Sequence, residues 1–282
     1  MGIQWPLLLF AVFGGMGMGL LVYVALQIIR GCKTSLGIAG LVAAAALLAV
    51  GGAFSALHMG HPERSFYVLT NFASGISQEL VATAIAMAVV VVLLVAEKSS
   101  GSFARFERPL AFVALAVGVL LPLVMGHAYL MVARPAWNTA LLPLMFLGDS
   151  WAMGFVAAFT AVRFTAADEG ERVRTSRFAL AGLAAFAATL IAWLVGVAFA
   201  YEPSYSRSVE RVLFGDLAPA FWVGTVVVGI AAPVAAVFFT RKASPASARA
   251  LAVAALIGVF VGSVAVRVVM YSLGTSVQSF IY

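Results

Sequence analysis

Only one cysteine, Cys32, stands in 282 residues. That scarcity excludes intrachain disulfides, thiolate-held iron–sulfur clusters and four-cysteine metal sites. Charge is also scarce, at 10% of residues against 63% hydrophobic. The chain has no glycine-rich nucleotide loop, no zinc-ligand spacing and no low-complexity tail. It shows no convincing internal repeat either, which weakens an inverted-repeat transporter reading. Connections long enough to hold a soluble domain are missing, since the polar gaps run to about 20 residues at most.

What fills the chain is apolar sequence, with a mean hydropathy of +1.07. Lipid offers a backbone no hydrogen-bond partner, so a spanning segment must satisfy itself as a helix of roughly 20 apolar residues. Eight such runs are present, at about 6–29, 36–57, 79–96, 109–132, 140–164, 178–201, 217–240 and 249–274. The expectation is an all-α polytopic membrane protein, one transmembrane domain over 1–282. The first run exceeds a signal-peptide core and lacks a basic start and an Ala-x-Ala-like exit, so it is expected to remain in the mature protein.

The net charge of +6 is distributed by side. Arg30, Lys33, Lys98, Arg105, Arg108, Arg163, Arg172, Arg174, Arg177, Arg241, Lys242 and Arg249 fall in alternate gaps. The opposite gaps hold Arg64, Arg134, Arg207 and Arg211. The positive-inside rule makes the richer side cytoplasmic and puts both termini on the other side of the inner membrane. Trp5, Trp137, Tyr201, Trp222 and Tyr282 lie near run ends, where an interfacial aromatic belt is expected.

A charge at membrane depth costs several kcal/mol, so it is paired or functional. His58 ends the second run and Glu79 begins the third. His127 precedes the end of the fourth, Asp149 lies about nine residues into the fifth, and Arg267 and Tyr271 sit in the last. These groups gather in the half of the bundle nearer the termini, while the other half reads as nearly pure Ala, Val, Leu and Gly. A transmembrane ion path needs polar groups at several depths; a small amphipathic ligand at one interface does not. Arg267 is expected to pair with Asp149 or Glu79, and His127 and Asp149 to serve as structural hydrogen-bonders. Arg64 also reads as an interfacial anchor, and His61 and Glu63 as solvated loop residues. Gly15 and Gly19 in "GGMGMG" mark a close helix contact, and "RPAWN" (134–138) reads as a turn with an interfacial tryptophan.

The stretch "LHMGHPERSFYVLTNFASGISQE" resembles the membrane-anchor subunit of the dimethyl sulfoxide (DMSO) reductase family. Leu57, His58, Gly60, Pro62, Arg64, Phe66, Asn71, Ser77 and Glu79 match its run. "GSVAVRVVMYSLG" resembles that family's Gly–Arg–Tyr pattern through Gly262, Arg267 and Tyr271. The sequence departs from the pattern at His61 and Glu63, at Ser65 in place of an alanine, and at Ser263 where an acid is common. The related polysulphide-reductase anchors fit these motifs less well.

The resemblance implies an anchor that exchanges electrons between menaquinol and an iron–sulfur subunit with four clusters, which serves a molybdopterin catalytic subunit. It places His58 and Glu79 in the quinol site, with Gly60, Arg64, Phe66, Ser77, Arg267 and Tyr271 around them. Chemistry agrees with those residue types. A quinol losing two electrons must also lose two protons, and an imidazole with an ordinary pKa near 6.5 accepts one near neutrality. Glu79 would pass protons to water, and Arg64 or Arg267 would steady developing negative charge. Phe54, Phe66, Tyr67 and Phe72 are candidates for the ring's walls, although such spacing also serves packing. No haem or metal is expected in this chain, and haem held by His58 and His127 is the redox rival. The alternative functions are a secondary transporter or proton-conducting protein and a structural anchor without a quinone site.

Overall fold

The computed structural model describes residues 3–32, 34–58, 71–99, 103–199 and 203–273, with only the backbone of His58 and residues 203–207. Among these residues the chain is helical and contains no strand. The elements are α1 (Trp5–Ile29), α2 (Gly37–His58), α3 (Gly75–Lys98), α4 (Glu107–His127), α5 (Leu141–Val162), α6 (Glu169–Ala198) and α7 (Pro203–Leu213). A π-wound segment (Pro219–Ala231) continues into α8 (Ala232–Phe239), and α9 (Pro245–Leu273) closes the series. Eight of the crossings are long and apolar enough to span a membrane, counting the π-wound segment and α8 as one. This is a multi-pass membrane protein.

An even number of crossings returns the described chain to the face where it starts. That terminal face carries the ends of α2, α4, α6 and α9, the starts of α3 and α5, and the short helix α7. The opposite, basic face carries the loops after α1, α3, α5 and α8. α1 and α5 form the centre of the bundle, with 78% and 72% of their most apolar windows buried, against 22% for α3. Their contact depends on small residues. A Cβ on Gly15 would meet the Ser150 side chain, and one on Gly19 would run into the Ser150 backbone and Gly154. Backbones approach this closely only where side chains are absent, which is how membrane helices gain dispersion energy without a hydrophobic driving force. The small-residue reading of Gly15 and Gly19 is borne out.

Several boundaries differ from the sequence expectation, each for a local reason. α6 begins at Glu169 rather than near 178, because Asp168 caps it: its Oδ1 accepts from the Glu171 N–H at 2.7 Å. Arg172, Arg174 and Arg177 therefore ride on the first turns of a helix rather than in a loop. α3 begins at Gly75, where a Cβ would strike Ala128. Glu79 is thus one turn inside the helix rather than at its dipole-favoured first turn. α4 stops at His127 instead of 132, and the chain leaves through tight turns, with Leu130 N–H donating to His127 O at 2.9 Å. α7 has no counterpart in the apolar runs because it is strongly amphipathic and lies between crossings.

The seventh crossing opens wide-wound. Thr225 Oγ1 donates five residues back to Ala220 O, and Ala232 N–H still reaches Val227 O. Pro233 follows and has no N–H to give, so the wide ladder ends there. Gly229 on this segment lies against Gly262 of α9.

The basic half is more polar than its composition suggests. Gln27, Glu171, Thr175, Ser176 and Thr160 are buried there. The Glu171 carboxylate accepts from Thr34 Oγ1 and from Ser35 N–H, both at 2.7 Å, tying the first loop to α6. Thr160 Oγ1 donates to Ala252 O at 2.8 Å, joining α5 to α9.

Candidate functional site

At the terminal face, the chain leaving α4 folds inward as a lid of aromatic residues. Trp137, expected at the membrane interface, is 3% exposed, because its indole N–H donates to Met270 O at 2.8 Å and its ring packs against two tyrosines. Trp193 of α6 fixes the same turn, donating to Ala136 O at 3.3 Å. Tyr129 meets Trp137 and Tyr271 edge-on at 5.7 Å and Phe146 at 5.5 Å. Edge-to-face contact suits the ring quadrupoles, and a buried hydroxyl needs a partner. The partner is close: the Tyr129 and Tyr271 hydroxyls share a hydrogen bond of 2.7 Å. Burial, then Tyr271 and Glu79, hold the Tyr129 hydroxyl well above its ordinary value, against Arg267, which lowers it. It therefore stays neutral near pH 7. Arg134 covers the outside of the cluster, its guanidinium 4.4 Å from the Trp137 ring centroid.

Beneath this layer lies an ion pair. Ser263, Arg267 and Tyr271 are spaced four apart on α9 and so share a face. Arg267 Nη2 donates to Asp149 Oδ2 at 3.0 Å, and Ser263 Oγ donates to the same oxygen at 2.8 Å. Arg267 also stacks on Phe146, 3.3 Å from its centroid. Both partners are buried, and among the described residues Asp149 Oδ1, Arg267 Nε and Arg267 Nη1 have no hydrogen-bond partner. Asp149 is the ninth residue of α5, which puts it about 12 Å along the axis from the terminal face. The expected pairing of Arg267 is therefore with Asp149, not Glu79.

Glu79 stands apart from that pair. It is 9% exposed, and among the described residues no hydrogen bond to its carboxylate is formed. It acts electrostatically on both Tyr129 and Tyr271, so the three lie in one neighbourhood. Ser77, half a turn earlier, is fully buried. Of the residues singled out in the sequence, the structure brings Glu79, Arg267 and Tyr271 into one cluster. His58 closes α2 at the same face; its side chain lies outside the described residues. Gly60, Arg64, Phe66, His61, Glu63 and Tyr67 also lie outside them. Phe54 stacks on Phe13 of α1 at 5.7 Å and serves helix packing, whereas Phe72 is exposed. His127 is exposed at the end of α4. Sequence reasoning missed Tyr129 and Phe146 and misplaced Trp137. The available signal was the concentration of aromatic and polar residues in 127–138, between two apolar runs.

Among the described residues, no group of three His, Cys, Asp or Glu side chains is placed to hold a metal ion. A cavity of about 400 Å³, lined by Ile28, Gly31, Cys32, Thr34, Glu97 and Glu107, opens at the basic face, across the bundle from this cluster.

A model of the family described as polysulphide reductase, NrfD matches residues 2–272, so the chain belongs to that family. No curated protein matches the chain. The match spans nearly all the crossings, whereas the motif that resembles the DMSO reductase anchors is confined to one connection and one helix end. The family includes quinol-interacting anchor subunits of molybdopterin oxidoreductases, and its members generally partner with iron–sulfur and molybdopterin subunits.

Proposed function

We propose that this NrfD-family membrane subunit binds menaquinol at the terminal-face cluster and passes its electrons to a docked iron–sulfur subunit of a DMSO-reductase-type molybdopterin complex. The observation that carries the reading is Glu79: a buried carboxylate to which no described residue forms a hydrogen bond, beside two paired tyrosine hydroxyls at one end of the bundle. A buried unpaired carboxylate is costly, and such groups persist where a ligand or a proton completes them.

The residues present suit a hydroquinone. Aromatic faces accommodate a ring, tyrosine hydroxyls donate to or accept from its oxygens, and a free carboxylate accepts a proton. A bound quinol supplies two electrons and two hydroxyl protons. Glu79 takes up a proton and, one turn from the helix start, releases it to water at the terminal face. His58, at the end of α2 on that face, is the second acceptor, since imidazole is the side chain suited to taking a proton near neutral pH. Tyr271 and Tyr129 orient the headgroup through their hydroxyl pair. Arg267 holds positive charge below the tyrosines, anchored by Asp149, and so favours negative charge developing above it. Gly60, Arg64, Phe66 and Ser77 complete the pocket by the motif match. The basic face is cytoplasmic in this reading, which puts the pocket and the docked iron–sulfur subunit on the outer side of the inner membrane. Electrons pass directly to the nearest cluster of the partner, with no haem in this chain.

The test is to purify the native complex and assay a menaquinol analogue with wild type and Glu79→Gln. General acid–base groups contribute roughly 10²–10⁴-fold. The expected result is a loss of at least about 10²-fold in quinol oxidation, with subunits, iron and molybdenum retained. An unchanged rate in an intact complex overturns the assignment.

A further inference from the structure

The ends of three helices bring together arginines that the quinol reading does not use. Arg163 follows α5, Arg172 is on the first turn of α6, and Arg249 is the fifth residue of α9. Arg249 Nε donates to Arg163 O at 3.1 Å, so α5 and α9 meet here. Arg163 Nη2 donates to Ser176 Oγ at 3.1 Å, which turns its guanidinium toward α6. There it faces Arg172. Burial lowers Arg163 below its ordinary value, repulsion from Arg172 lowers it further, and only Glu169 opposes.

Guanidiniums that repel one another call for an anion, and two of the nearby acids are committed elsewhere. Asp168 caps the Glu171 N–H, and Glu171 accepts from Thr34 and Ser35. Glu169 is left to offset the Arg163 charge. Arg163 and Arg172 each bury an Nε–H that meets no acceptor among the described residues, a deficit worth about 1–3 kcal/mol per donor in general. The flanks are apolar and open. Phe164 is 57% exposed under the Arg249 guanidinium, 5.7 Å from its ring centroid, and Val173 beside Arg172 is also exposed.

We propose that Arg163, Arg172 and Arg249 form a binding site for the phosphate of an anionic membrane lipid, with its acyl chains lying along Phe164 and Val173. Guanidinium forks match phosphate oxygens bidentately, and basic pockets between membrane helices at the bundle end suit lipid headgroups. A bound lipid would clamp α5, α6 and α9 together at the basic face. The site is independent of the quinol cluster across the bundle.

The test uses the full-length protein purified in a neutral detergent. Thermal unfolding is followed with added phosphatidylglycerol, phosphatidylcholine or inorganic phosphate. Phosphatidylglycerol is expected to raise the midpoint by about 5 °C more than phosphatidylcholine, as a ligand well above its dissociation constant does. The increment should vanish in Arg172→Gln and in Arg249→Gln, shrink in Arg172→Lys, which keeps the charge but loses the fork, and persist in Arg177→Gln, which removes an exposed α6 charge outside the site. An equal increment from phosphatidylcholine, or its persistence in both Arg172→Gln and Arg249→Gln, overturns the site. The same increment from inorganic phosphate overturns the lipid assignment. If Arg172→Gln does not fold, Arg249→Gln and Arg172→Lys carry the decision.

Discussion

Arg267 is held in the interior by one carboxylate oxygen, which Ser263 also supports, and one aromatic ring. Removing a single member leaves an uncompensated charge, which costs about 3–5 kcal/mol, whereas replacing both with apolar residues is often neutral. Arg267→Met and Asp149→Leu alone should therefore each reduce the yield of folded protein, and the double variant should recover much of it, as read by size-exclusion chromatography in detergent. The double variant should still be deficient in quinol oxidation, since its structural role is replaced and its positive charge is not. Asp149 and Arg267 were both visible in the sequence as costly groups at membrane depth. Their pairing was one of two alternatives, with Glu79 the other, because which acid 118 positions or more away becomes the neighbour is settled only when α5 and α9 pack. Glu79 shows the reverse: its type and position in the motif singled it out, and the structure supplies its burial and its tyrosine neighbours.

At the scale of elements, the glycines differ sharply in what they tolerate. Gly154 lies against the backbone of Gly19 and Leu20, with no room for a Cβ, whereas Gly52 has open space around it. Gly154→Leu should abolish the folded monomer peak, because α1 and α5 cannot separate without opening the bundle centre. Gly52→Ala should be neutral or more stable by up to about 1 kcal/mol, since alanine costs a helix less than glycine does; detergent thermal unfolding checks both. α7 depends on Arg211, whose Nε and Nη2 hold the Asp216 carboxylate at 2.9 and 2.7 Å while Nη1 donates to Ser272 O. That hydrogen bonding, ahead of any charge effect, holds the Asp216 carboxyl below its ordinary 3.8. A depressed acid contributes stability that is present above its ordinary value and lost as pH falls through the lowered one. Relative to the intrinsic rate, which itself falls with pH, amide exchange over 208–217 should thus be steady from pH 7 to 5 and quicken only below about pH 4. Arg211→Ala should quicken it at every pH. No apolar run announces α7, and the sequence window that finds crossings is blind to a short helix with one apolar face.

At the scale of the whole molecule, the charge division between faces sets the expected topology. Reporter fusions test it: alkaline phosphatase placed after residue 273 should be active, and placed in the loop between α5 and α6 it should be inactive. The reverse pattern would move the quinol pocket and the docked subunit to the cytoplasmic side. An affinity-tagged chain should co-purify with iron–sulfur and molybdopterin subunits, as its family membership leads one to expect.

What the sequence by itself determined was the helical, membrane-spanning class, the number of crossings and the division of charge between the two faces. These follow from local composition, since each crossing must satisfy its own backbone wherever its neighbours lie. It also singled out Glu79, Arg267 and Tyr271, because polar groups in an apolar run are conspicuous. Only the tertiary structure decided that Tyr129, Trp137 and Phe146 join them, that Asp149 rather than Glu79 takes Arg267, and that Arg249 reaches the end of α5 beside Arg163 at the far end. Those outcomes depend on which helix faces which, and that is set by close glycine contacts between distant segments rather than by the pattern within any one of them.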